Sequence, residues 1–311
     1  MSQKEKYLFG PVPSRRLGLS LGVDIVPLKT CTQNCLYCQL GMDATQAIER
    51  KDYVPMQDVL AEIQHRLQAG LKADYITISG SGEPTLNSGL GWLIDRIHEN
   101  TTIPVAVITN GSLLWRPDVR NDCAKADVVL PSLDAGDPET FEQLNHPHHS
   151  INYAQFVEGL VAFRQCYTGP IWLEVFICDG INTSDISLQN IGNKIDQIKP
   201  DKIHLNTAVR PTAHPSIRAL SPSRMAEIGQ KLGRNAEVIA DFPKDKAGSA
   251  ECTPESVMET LFRRPCTIDG LASSLGAEKK AVLYAIKRLL DNGSVISDER
   301  DGLIYYKPFP K

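Results

Sequence analysis

Three observations predict an α/β fold: a partial (β/α)6 TIM-type barrel with a small C-terminal winged helix-turn-helix domain. From Leu17 to about Phe242, short β-branched runs alternate with longer helical patterns, which is how βαβ units on a parallel sheet read. Six clear units fall short of a closed eight-stranded barrel. Beyond a turn-rich segment, three helical patterns and two short strands fill residues 253–311. A doubly wound sheet is the architectural alternative.

The strand candidates in order are "LSLGVDIVP", "DYITISGSG", "PVAVITNG", "DVVLPSLD", "IWLEVFICD" and "KIHLNTAVRP", with "AEVIADF" as a weak seventh. Helical patterns such as "MQDVLAEIQHRLQAG" and "YAQFVEGLVAFRQC" lie between them. Both faces of a parallel barrel strand are covered, so polar residues at alternate positions are informative. His204, Asn206 and Arg210 share one face of their strand, Ser132 and Asp134 share another, and Glu174 interrupts an apolar strand. That pattern predicts a polar lumen that holds a ligand. The barrel is expected over 1–242, a small, charged linker over 243–252, and the winged domain over 253–311. Within that domain helices are expected at 254–263, 268–275 and 277–291, then strands "SVIS" and "LIYYK" around "DERDG".

The 311 residues carry a net charge of −4, which argues against an extended basic surface and leaves room for a local one. The N-terminus has no apolar signal-like core, and no run of about 18 apolar residues appears. A cytoplasmic protein is expected, where clustered cysteines mean metal or catalysis.

Such a cluster stands in "TCTQNCLYCQLG": Cys31, Cys35 and Cys38. Structural zinc wants four ligands, but only one C-x-x-C is present, and His146, His148 and His149 are far away in sequence. An iron–sulfur cluster normally takes four cysteines; three would leave one iron open for catalysis. Zinc, an open cluster and simple packing all stand as readings of the residues alone.

The triplet, placed after the first barrel strand, resembles the radical S-adenosylmethionine (SAM) superfamily. "SGSGEPTL" resembles its glycine–glutamate motif, with Gly82 and Glu83 matching and Ser81 in place of a glycine. The resemblance implies a 4Fe-4S cluster on Cys31, Cys35 and Cys38, whose fourth iron is chelated by the methionine part of SAM. An electron from flavodoxin or ferredoxin then yields a 5′-deoxyadenosyl radical. It further implies cofactor contacts from Tyr37, near the adenine, from Ser81, Gly82 and Glu83, near the amino group, and from Asn110, Ser132, Asp134, Glu174 and Asn206. Arg15, Arg16 and Arg210 become candidates to grip an anionic substrate.

"GPVPSRRLG", "GSGEPTL" and "SLDA" are similar to a prokaryotic subgroup related to the tRNA wyosine-base synthases. In that subgroup a basic residue often stands at Leu19, and "NRPH" where this chain has "NHPH". Wyosine-forming enzymes carry a second cluster on upstream cysteines, and no cysteine precedes Cys31. Their specific reaction is therefore not carried over. Cys123, Cys166, Cys178, Cys252 and Cys266 form no ligand pattern and are expected to be buried apolar thiols.

In "AEKKAVLYAIKRLLDNG", Val282, Leu283, Ile286, Leu289 and Leu290 make an apolar stripe, with Lys280, Tyr284 and Lys287 on the other side. This would be the recognition helix for nucleic acid, tRNA included. Nine Lys and Arg against eight Asp and Glu in 253–311 leave only +1, weak for phosphate binding. The expected function is a radical SAM enzyme modifying an RNA base or other macromolecule. The alternatives are a peptide- or protein-modifying radical enzyme and an iron–sulfur DNA-binding sensor.

Overall fold

The computed structural model describes residues 7–41, 44–209, 212–214, 216–233, 235–240, 252–263, 265–300 and 303–309. Arg210 and residues 243–251 of the expected linker lie outside them.

The chain opens with an antiparallel hairpin, β1 (Leu8–Ser14) and β2 (Gly18–Val23). Two-residue strands β3 (Thr30–Cys31) and β4 (Thr45–Gln46) flank the cysteine loop. Then follow α1 (Met56–Gln68), β5 (Tyr75–Ile78), a 3-10 turn (Pro84–Leu86), α2 (Leu90–Asn100), β6 (Val105–Thr109), α3 (Pro117–Cys123) and β7 (Val128–Pro131). After α4 (Pro138–Asn145) and α5 (Tyr153–Cys166) come β8 (Trp172–Ile177), α6 (Asp185–Ile198), β9 (Lys202–Thr207), α7 (Pro222–Leu232) and β10 (Ala236–Val238).

Two ladders, β1-β2-β5-β6-β7 and β8-β9-β10, are parallel except at β1–β2. Bridges Val129–Ile171 and Ser132–Glu174 join them. The result is a partial barrel in the order β2-β5-β6-β7-β8-β9-β10, with the weak seventh strand reduced to three residues. Odd positions of β9, Ile203 and Leu205, face the helices and are buried, as are Leu173 and Val175 of β8. The helices supply buried residues to the same core at helical spacing, for example Val59 and Ile63 of α1 and Leu188, Ile191 and Ile195 of α6. Each such aliphatic side chain contributes roughly 1.5–3 kcal/mol on burial.

The other parity faces the lumen. Its base is an apolar plug of Leu17, Ala106, Val128 and Leu130 against Tyr75, Ile108 and Trp172. Above it lie Ser20 and Thr77, whose hydroxyls are 2.6 Å apart, and the buried His204.

Sequence patterning did not show β1, because two prolines interrupt "LFGPVPS". Proline is tolerated on an edge strand, and β1 is an edge. The β1–β2 tip also reaches the opposite ladder. Arg15 Nη1 donates to Asn206 Oδ1 at 3.0 Å and to the carbonyls of Ile239 and Ala240 at 3.2 and 3.3 Å, while Arg16 pairs with Glu174. The hairpin thus straps the two ladders together where the barrel does not close.

The C-terminal unit has α8 (Pro254–Arg263), α9 (Ile268–Leu275), α10 (Lys279–Asp291), β11 (Val295–Arg300) and β12 (Leu303–Pro308) around its own core of Val257, Leu261, Leu271, Val282, Ala285, Ile286 and Leu289. The strands run longer than "SVIS" and "LIYYK", because Asp298 and Glu299 continue the ladder opposite Tyr305 and Ile304. The expected stripe of α10 needs correction: Leu283 and Leu290 are 52% and 39% exposed, and Ala285 is buried in their stead. One residue turns the helix by about 100°, enough to carry both leucines off the arc centred on Val282, Ile286 and Leu289. Helix α9 packs against β1, and Tyr305 Oη donates to the carbonyl of Val209 at 3.4 Å.

Candidate functional site

The cysteine loop is held from behind by the end of α4. Asn34 N–H donates to the carbonyls of Asn145 and His146, each at 3.1 Å, Leu36 N–H to Leu144 at 3.0 Å, and His148 N–H back to Thr32 at 2.8 Å. His146 turns the chain with φ 40°, and Gln33 bridges Pro147. In "NHPHHS" it is therefore the backbone that braces the loop, while the His146 and His149 side chains are exposed. Within the loop Cys38 N–H donates to Cys35 O at 3.0 Å, and Lys29 Nζ donates to Gly41 O at 2.5 Å.

Among the described residues, no group of three or more His, Cys, Asp or Glu gathers as a single metal ion would require. Burial pushes the Cys31 thiol up to about 12, with the Glu83 charge adding to it. Cys35 is held well above its ordinary value by burial and by Cys31, and Cys38 is raised by burial. Thiolates on this loop need cationic partners, as metal ligands do.

The glycine–glutamate loop lies directly against the strand carrying Cys31. Glu83 N–H donates to Thr30 O at 3.0 Å. A Cβ on Gly82 would stand 2.0 Å from that same oxygen, so this close backbone approach requires glycine. The Glu83 carboxylate is buried and already accepts from Thr85 N (3.0 Å), Thr85 Oγ1 (2.6 Å), Thr109 Oγ1 (2.6 Å) and Asn110 N (2.7 Å). Burial raises its pKa against these hydrogen bonds. Its visible work is to lock the loop after β5 to the end of β6. Ser81 donates both its N–H and its hydroxyl to Asp24.

A cavity of about 410 Å³ opens inside the barrel, within the roughly 300–1,000 Å³ range of ligand pockets. It brings together Tyr37, Cys38, Ser132, Asp134, Glu174 and Asn206, with Arg15 and Arg16 at one side. Ser81, Gly82, Glu83 and Asn110 do not line it. Lys280, Tyr284 and Lys287 share an exposed face of α10 in the C-terminal unit.

Several expected ligand contacts are already engaged within the protein. Asp134 is buried and accepts from Tyr37 Oη, from Asn145 Nδ2 at 2.8 Å and from Phe176 N–H at 2.8 Å. Tyr37 stacks on Phe176 with ring centroids 4.1 Å apart. Glu174 accepts from Asn206 Nδ2 at 3.0 Å and pairs with Arg16, and Arg15 donates to Asn206 and to two backbone carbonyls, so both arginines already have partners within the protein. Burial, with Arg15 beside it, lowers Arg16 to about 10, and it stays charged at neutral pH. His204 is 2% exposed, and its Nδ1 finds no hydrogen-bond partner. Burial first, then Arg16 and Lys202, lower its pKa to about 4.

Sequence reasoning missed Asn145 and Phe176. The first is the residue before the histidine motif. The second shares its strand face with Glu174, a parity the pattern contained. Of the remaining cysteines, Cys123, Cys178 and Cys266 are buried as expected. Cys166 is exposed and Cys252 half-buried, against expectation: Cys166 ends the amphipathic α5 and Cys252 precedes the compact C-terminal core.

A barrel of this kind, with three cysteines on the loop beyond its first parallel strand, defines a class of radical enzyme, and comparison with known proteins agrees. The family model of the Radical SAM superfamily matches residues 25–187. A UPF0026 protein of Methanocaldococcus jannaschii is 30% identical over 96% of this chain and 94% of its own length. A UPF0026 protein of Helicobacter pylori is 36% identical over 84% and 85%. A Brachyspira hyodysenteriae protein named GTPase Obg is 38% identical over 97% of this chain, which spans only 45% of that protein. Among solved structures, TYW1 with a lysine-pyruvate adduct bound superposes with a TM-score of 0.54 at 18% identity, covering 72% of this chain and 75% of that one. Streptococcus suis SuiB bound to precursor peptide SuiA gives 0.53 at 16% identity, over 70% and 48%. These two likenesses concern the fold.

The chain belongs to the radical SAM superfamily and to the UPF0026 family. It is a radical SAM enzyme, and the cofactors of that superfamily are a 4Fe-4S cluster and S-adenosylmethionine.

Proposed function

We propose that Cys31, Cys35 and Cys38 hold the 4Fe-4S cluster, that the cavity takes SAM and the reacting group, and that this group belongs to a macromolecule, an RNA base in the first reading. The donor set fits a cluster: three thiols on one short loop, beside side-chain N–H groups directed at two of the sulfurs and a cavity that reaches Cys38. When bound, the cluster supplies the electron that cleaves SAM reductively. The chain's own residues do the rest. Tyr37 and Phe176 form a flat wall, Asp134 fixes that wall, and the hairpin bearing Arg15 and Arg16 closes the side of the cavity against water.

The observation that carries a macromolecular substrate is the position of the C-terminal unit. Helix α9 packs on β1, and Phe9, Val12 and Pro13 of β1 line the cavity. A chain held by the C-terminal unit is therefore one strand away from the reacting space. The same helix–hairpin unit gives a second reading, a peptide or protein substrate. It is favoured by Leu283, Tyr284 and Leu290 standing exposed on α10, since apolar and aromatic side chains suit protein interfaces better than phosphate.

Flavodoxin or ferredoxin is the proposed electron donor, and the cytoplasm the proposed compartment, where free thiols stay reduced. Among the described residues no helix is long and apolar enough to cross a membrane.

The test is anaerobic reconstitution, then dithionite and SAM, with 5′-deoxyadenosine measured by chromatography. Cluster-dependent product supports the reading, and its increase with an RNA pool or a peptide pool selects the substrate class. A fully loaded cluster that gives no product, even with cell extract, overturns it.

A further inference from the structure

Two asparagines outside the cysteine motif direct their side-chain amides at cysteine sulfurs. Asn110, just after β6, places Nδ2 3.5 Å from Cys31 Sγ and donates its other hydrogen to Thr32 Oγ1 at 2.7 Å. Its Oδ1 accepts from Ser112 N–H at 3.0 Å, so both ends of the amide are fixed. Asn145, the last residue of α4, places Nδ2 3.5 Å from Cys35 Sγ and donates to Asp134 Oδ2 at 2.8 Å.

The orientation of Asn145 is the informative part. The residue is 3% exposed, and its Oδ1 finds no hydrogen-bond partner. Turning the amide over would bring that oxygen against the Asp134 carboxylate oxygen, an acceptor, and take the N–H away from the Cys35 sulfur. The buried oxygen is left unpaired because the Asp134 carboxylate on the other side of the amide accepts only and demands a donor.

Resting on the reading that these cysteines carry the cluster, we propose that Asn110 and Asn145 are positioning residues that set its reduction potential through N–H···S hydrogen bonds. Hydrogen bonds to ligand sulfurs are among the features that set the potential of such clusters. An N–H directed at a thiolate draws charge from the sulfur and favours the reduced, more negative cluster. Asn145 does more, because the same amide hydrogen-bonds the Asp134 carboxylate that holds Tyr37. It ties one cluster ligand to the cavity wall.

The experiment is a redox titration of the reconstituted full chain, followed by electron paramagnetic resonance, with iron and sulfide counted per chain. Asn145→Ala and Asn110→Ala should each move the midpoint to a more negative potential while keeping the iron and sulfide content of the unaltered chain. The two should shift in the same direction although only Asn145 touches Asp134, which a purely structural role for the Asp134 network does not produce. Should a variant fail to fold or load, the unaltered protein still decides. Side-chain 15N-labelled asparagine should give a hyperfine coupling on the reduced cluster, and its absence overturns the inference. Loaded variants with unchanged midpoints overturn it as well, leaving the cluster reading intact. An unaltered chain that takes up no iron and sulfide removes the cluster reading, and this inference with it.

Discussion

Replacing Gly82 with alanine tests whether the glycine–glutamate loop truly holds the strand that carries Cys31. The new Cβ would lie 2.0 Å from Thr30 O, 2.9 Å from Thr30 C and 2.9 Å from Val26 Cγ2. Since a comfortable C···O contact is about 3.3 Å, the two segments must separate by more than about 1 Å. The nearest atoms are backbone, so no side-chain rotation relieves the clash. Separation also breaks the bond from Glu83 N–H to Thr30 O and stretches the one from Lys29 N–H to Ser81 O. Overpacking costs about 1–3 kcal/mol and each hydrogen bond about 1 kcal/mol. A less flexible unfolded chain returns about 0.4–1 kcal/mol. The net expectation is a loss of about 2–4 kcal/mol, read as a lower urea midpoint at unchanged slope, together with lower iron uptake. Gly192→Ala, in α6 with open space around it, should be neutral or stabilising by about 0.5–1 kcal/mol and serves as control. A Gly82→Ala chain within about 1 kcal/mol of the parent, with full iron content, would show the loop free to move and refute the reasoning.

Cys35→Ala should abolish cluster assembly, measured as iron and sulfide per chain, while the C-terminal unit keeps its own helical core; normal SAM cleavage by this variant sinks the assignment. Glu174→Gln leaves the Arg16 charge in the lumen without its counter-ion and should cost about 3 kcal/mol, seen in urea denaturation; a midpoint like that of the parent would mean that water meets the guanidinium instead. His204, at about 4 in the folded chain against roughly 6.5 when unfolded, binds fewer protons folded than unfolded between those values. Its contribution to stability is therefore present above about 6.5 and lost as pH falls towards 4. His204→Phe should flatten that part of the stability–pH curve, and an unchanged slope would argue against a neutral buried imidazole.

What the sequence made legible follows from periodicity. The parallel strands and the helices around them came through because β-branched alternation and helical spacing are local properties. The lumen face of β9 was readable for the same reason: His204 and Asn206 are two residues apart. The roles of those residues were harder, because a role depends on partners distant in the chain. Asp134 looked available to a ligand until Tyr37, Asn145 and Phe176 were seen to converge on it from three separate segments. Asn145 carried no signal of its own beside the more conspicuous histidines. The α10 stripe misled by one position, since Leu283 and Leu290 fit a helical repeat that also exists on the exposed side.

The "GPVPSRR" segment shows how far a role can move once topology is known. Two adjacent arginines beside a cavity invite the reading of an anion clamp, but an incomplete barrel has a prior need. It leaves exposed ladder edges, which a stable protein must cover or pair. Strand β1 covers one edge, and Arg15 and Arg16 tie its turn to β8, β9 and the segment after β10. The same strand lends Phe9, Val12 and Pro13 to the cavity wall and its outer side to α9. Barrel closure, cavity shape and the seat of the C-terminal unit thus share one seven-residue strand. The contact of α9 with β1 and the bonds of the arginines meet on the strand that walls the cavity.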